Sequence, residues 1–162
     1  MLLNYLKPVL YFIPLAALQL VVVPLMTIYE ISPNLIIVLI VYFTLLYGQI
    51  YGTILGFVLG FLFDIISGGL LGASMLSFTV SAFIAGYFYN ENKVDTNTAT
   101  FLFTIIVFLC GSINSFLFSS IAISNPDVNL ISLILEIGFL PGLYTAVFSL
   151  PIVIFTTKKG IE

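Results

Sequence analysis

The chain contains no tryptophan, no histidine and no arginine, and only one cysteine and four lysines among its 162 residues. Without histidine there is no imidazole for acid–base work or metal binding, and without arginine there is no bidentate clamp for phosphate. A lone cysteine excludes an intramolecular disulfide and a thiolate metal cluster; Cys110, set in an apolar run, reads as a small buried hydrophobe. Four lysines leave no basic patch for nucleic acid. No Walker-type Gly-Lys-Ser loop occurs, and the Tyr-Asp and Gly-x-Gly-Asp surroundings of an aspartyl intramembrane protease are missing at Leu62-Phe63-Asp64-Ile65. The expectation is a protein that is not an enzyme and carries no catalytic, cofactor or metal site.

What is present is apolar. Hydrophobic residues make up 61% of the chain and charged residues 7%, with a mean hydropathy of +1.26. Such a composition cannot present a polar surface to water, so the chain reads as an integral membrane protein. A hydrocarbon core of about 30 Å takes roughly 20 residues per helix, so six spans use about 120 residues and leave no room for a soluble catalytic domain. Breaks at polar, proline and glycine clusters predict an all-α bundle of six transmembrane helices in one domain, 1–162. The spans fall at about 9–29, 35–46, 53–66, 73–89, 101–123 and 131–156. The second and third are short and require shielding by neighbours, local thinning of the bilayer, or helix continuing into their junction.

Charge sets the orientation. With six spans and a cytoplasmic N-terminus, Lys7, Lys93, Lys158 and Lys159 all lie on the cytoplasmic side, and Glu30 and Asp127 lie outside; five spans split the lysines. Both termini are then cytoplasmic. Tyr5, Tyr11, Tyr47, Tyr51, Tyr87 and Tyr89 gather at the cytoplasmic ends, the interfacial role open to them in the absence of tryptophan. Pro8 and Pro33 are expected to precede spans, while Pro14, Pro24, Pro141 and Pro151 fall inside the first and last spans and predict bends there.

The strongest pattern is a row at a strict spacing of four: Gly48, Gly52, Gly56, Gly60, Asp64, Gly68 and Gly72. Glycine costs a helix interior about 1 kcal/mol relative to alanine, so the row calls for close backbone approach. Its expected partner is the fourth span, where Ser77, Ser81 and Ala85 repeat the spacing. A competing possibility is that part of the groove receives a helix of another protein. Gly48 and Gly52 are expected at the cytoplasmic junction, and Asp64, Gly68 and Gly72 at the external turn.

Asp64, Ser67, Gly68, Gly72, Asn114 and Glu136 are the candidate pocket or partner contacts. Asp64 lies one turn before the Ser67-Gly68-Gly69 turn, where it either bonds turn hydroxyls and amides or contacts a ligand or partner. In the first case, Asp64→Asn is expected to be nearly silent. Glu136 suits the first turn of the last helix by its charge. If Asp64, Glu136 and Asn114 of the Gly111-Ser112-Ile113-Asn114-Ser115 run converge, they line an outward polar cavity. Gln19, between two prolines, is expected to bond a freed carbonyl.

Ser32-Pro33-Asn34-Leu35, followed by Gly52-x3-Gly56-Phe57-x2-Gly60-x3-Asp64-x2-Ser67-Gly68-x2-Leu71-Gly72, resembles the MreD family of bacterial rod-shape-determining membrane proteins over roughly Pro33 to Gly86. Members often carry Asp where this chain has Asn34. The resemblance implies a non-enzymatic inner-membrane scaffold of lateral cell-wall elongation. It implies as partners an MreC-like single-span protein, a RodA-type glycosyltransferase with its transpeptidase, and the MreB filament. It also implies a fold similar to the substrate-binding subunits of energy-coupling-factor vitamin transporters. Small-molecule transport is the alternative function, and it requires an external cavity with several convergent polar groups.

Overall fold

The computed structural model describes residues 2–27, 31–91, 94, 98, 101–122 and 138–159. Among them there are six α-helices and no strand: α1 (Leu2–Val21), α2 (Leu35–Tyr47), α3 (Gln49–Ser67), α4 (Ala73–Ala85), α5 (Phe101–Ala122) and α6 (Leu140–Lys159). Of these, α3 and α5 are long and apolar enough to cross a membrane by length and composition. Glu30, Lys93, Asp127 and Glu136 lie outside the described residues.

α2 is the axis of the bundle. It packs against α1, α3, α4, α5 and α6, and Ile36, Ile37, Val38, Ile40, Val41 and Leu45 are almost fully buried. A helix that is apolar all round is either enclosed in protein or spans lipid, and here protein encloses most of the 13 residues of α2. Shielding by neighbours therefore answers the length problem for α2. For α3 the answer is continuation: the helix begins at Gln49 rather than near Thr53, and Gly48 alone separates it from α2. Gly48 has φ +95°, a left-handed backbone that an L side chain rarely adopts, so one glycine makes the whole reversal.

The prolines divide by position. Pro8 lies inside α1, which starts six residues before it, at Leu2, and not ahead of the first helix as expected. Pro24 falls in a 3₁₀ turn, Val23–Met26, that closes the first segment, because the residue before a proline disfavours the α conformation. Pro141 stands near the start of α6, just past Gly138 and Phe139, which are in π-helical conformation. Pro14 and Pro151 lie inside helices as expected, and both helices run through them unbroken.

The tightest pairings are α3 with α4 and α5 with α6, bridged by α4 against α5. An aromatic run ties three helices at one end: Tyr11 stacks on Phe43, Phe43 on Tyr47, and Tyr47 meets Tyr51 edge-on. The candidate site lies at the other end of the α3–α4 pair.

Candidate functional site

The glycine row divides by what each glycine faces. A Cβ on Gly60 would stand 2.5 Å from the Cα of Met75 and 2.7 Å from the carbonyl oxygen of Ser74, and one on Gly56 would stand 2.7 Å from the carbonyl oxygen of Phe78. These are backbone atoms, so neither position admits a side chain without separating α3 from α4. A Cβ on Gly52 would instead run into the Thr44 side chain of α2. Thr44 is pinned there, its hydroxyl donating to the Ile40 carbonyl at 2.7 Å. Gly52 is thus a contact within the α2–α3 hairpin, inside the first turn of α3. Gly68 (φ +65°) and Gly72 (φ +99°) have open space around them and serve the turn through backbone conformation alone.

On α4 the surface that meets the glycines is Ser74, Met75, Phe78 and Ala82. It continues to Gly86, whose Cβ would strike Gln49 at the start of α3. This row is offset by one residue, about 100° of helix, from Ser77, Ser81 and Ala85, which are fully buried within the bundle. Gly86 was missed in the sequence, although it falls inside the expected span 73–89 and continues the small-residue step from Ala82.

Asp64 is 2% exposed and sits where the next helix begins. One carboxylate oxygen accepts from the Gly72 N–H at 2.8 Å and the Met75 N–H at 3.2 Å; the other accepts from the Ser74 N–H at 3.1 Å. The Ala73 N–H donates to the Leu70 carbonyl at 3.1 Å, and the regular ladder starts with Leu76 donating to Gly72. All four donors that a helix N-terminus leaves unpaired are therefore satisfied. Gly72 has no side chain with which to cap α4, so the cap comes from the preceding helix, and its negative charge lies at the positive end of the α4 dipole.

α2 is closed in the same manner by other chemistry. The Asn34 side chain accepts from the N–H groups of Ile36 (3.1 Å) and Ile37 (3.2 Å). Gln19 of α1 accepts from the Leu35 N–H at 2.8 Å and donates to the Pro33 carbonyl at 2.9 Å. Thr145 of α6 accepts from the Asn34 N–H at 2.9 Å and donates to the Pro141 carbonyl at 2.8 Å. Gln19 does bond a carbonyl, but one from the connection into α2 and not one freed within its own helix. Thr145, fully buried, was not singled out in the sequence; a threonine in an apolar helix gives no sign that its partner lies 111 residues away.

The remaining candidates do not join this site. Ser67 donates to the Asp64 backbone carbonyl at 3.4 Å. Asn114 is 3% exposed and its side-chain oxygen has no partner; it belongs to α5, which does not pack substantially on α3. Ser112 also holds an unpartnered hydroxyl, at a second close crossing where a Cβ on Gly142 of α6 would stand 2.7 Å from the Ser112 backbone nitrogen. Glu136 lies outside the described residues, so its place beside these groups is not described. A groove of about 220 Å³ opens at the opposite end of the α3–α4 pair, lined by Gln49, Ile50, Thr53, Ile54 and Phe83. Its polar groups are engaged: the Gln49 amide donates to the Phe83 carbonyl at 3.0 Å and the Thr53 hydroxyl to the Gln49 carbonyl at 2.8 Å.

These features define an all-helical protein of apolar exterior whose best-placed polar side chains serve its own backbone. A family model described as rod shape-determining protein MreD matches residues 1–159, and the chain belongs to that family. It is accordingly a bacterial membrane protein of cell-shape determination, in a family not known for enzymes. No curated protein and no solved structure matches the chain, and the expected likeness to vitamin-transporter subunits is not shown.

Proposed function

We propose that this chain is a non-enzymatic scaffold of the lateral-wall elongation machinery, which maintains rod shape by binding an MreC-like single-span protein in the cytoplasmic membrane. The observation that carries this reading is the internal use of Asp64, whose oxygens are both occupied by the amides of α4. With the carboxylate and the inner glycines committed to the α3–α4 pair, the surface left for a partner is lateral and apolar. On α3 it runs through Ile50, Ile54, Phe57 and Phe61, all exposed, on the side opposite the glycines. Helices associate in membranes through packing, and a rigid, closely paired α3–α4 unit offers a fixed surface for that. Six spans with both termini cytoplasmic fit this role, since they leave Lys7, Lys158 and Lys159 on the side of the MreB filament. A RodA-type glycosyltransferase and its transpeptidase complete the expected partners. The transport alternative is not supported: the N-termini of α2 and α4 leave no free donor for a ligand.

The test is co-expression with the MreC-like protein of the same genome, followed by affinity purification, together with rescue of shape in depleted cells. Joint purification and restored rods are expected, with both lost in Phe57→Ala/Phe61→Ala of unchanged thermal stability. Normal rods without the chain, or no joint purification, refute the scaffold reading.

A further inference from the structure

We draw no further inference here: the strongest candidate, the apolar groove between α3 and α4 lined by Gln49, Ile50, Thr53, Ile54 and Phe83, is an unpartnered lateral face, and nothing in the structure shows what covers it.

Discussion

Replacing Asp64 by asparagine, expected from the sequence to be nearly silent for a capping residue, becomes costly once the carboxylate is seen to hold three backbone donors, and it tests the clasp by a difference of one atom. The two carboxylate oxygens share three backbone donors, two on one oxygen and one on the other. Asparagine can place its carbonyl oxygen at only one of those positions. In the better orientation it keeps Gly72 and Met75 and turns its NH₂ toward the Ser74 N–H, opposing a buried donor with another donor. That mismatch costs about 1–3 kcal/mol, and the two surviving bonds fall from charge-assisted to neutral, losing about 1 kcal/mol each. Relief from holding a buried charge returns part of this, so a net loss of about 2–3 kcal/mol is expected. Asp64→Ala leaves three donors unpaired and should cost about 3–5 kcal/mol; Asp64→Glu keeps the charge but crowds a site that is 2% exposed, at about 1–3 kcal/mol. Unfolding of the purified protein by titration with sodium dodecyl sulfate, read by loss of tertiary signal, gives the order wild type, then Glu and Asn, then Ala. Wild-type stability for both Asn and Ala refutes the clasp. Loss of shape rescue in Asp64→Asn with stability untouched assigns the carboxylate to a partner instead.

Other substitutions probe the rest of the frame. Gly60→Ala places a methyl group against the Met75 Cα and should cost about 1–3 kcal/mol in the same titration, while Gly68→Ala, with open space around it, should cost about 1 kcal/mol through its positive φ alone. Equal losses at the two positions would mean that close approach is not what Gly60 provides. Thr145→Val removes the acceptor for the Asn34 N–H and should destabilise by about 1–3 kcal/mol, with faster amide exchange at the head of α2 as its local signature. Ser112→Ala removes an unpartnered hydroxyl and should be neutral or slightly stabilising in the detergent titration; a loss above about 1 kcal/mol would show that the hydroxyl has a partner.

Much of the frame is legible in the chain because glycine has one dominant use inside a membrane helix. Gly56 and Gly60 sit against backbone, as their spacing implies. The sequence pointed to the wrong row of α4, Ser77, Ser81 and Ala85, because it looks more uniform than Ser74, Phe78, Ala82 and Gly86, which mix sizes and are the row that meets α3. The boundary at Gly48 was blurred for a related reason: Gly48 and Gly52 look alike as letters, yet one supplies a left-handed turn and the other a contact with Thr44.

Capping is the least legible level, and its physics explains why. A local cap leaves a sequence signature because donor and acceptor are two or three residues apart, as Asn34 is from Ile36 and Ile37. Asp64 caps amides 8 to 11 residues onward, Gln19 one 16 residues onward, and Thr145 one 111 residues back. Caps borrowed from other helices are what short helices buried in a bundle require, since neither water nor an extended loop is at hand to satisfy their first turns. A carboxylate in an apolar run invites reading as a binding site, because most of its imaginable partners are ligands or other proteins. Here a helix end within the same chain supplies the demand. The energetic argument for a functional acid is the cost of burying it, and that argument weakens once three backbone donors account for the burial.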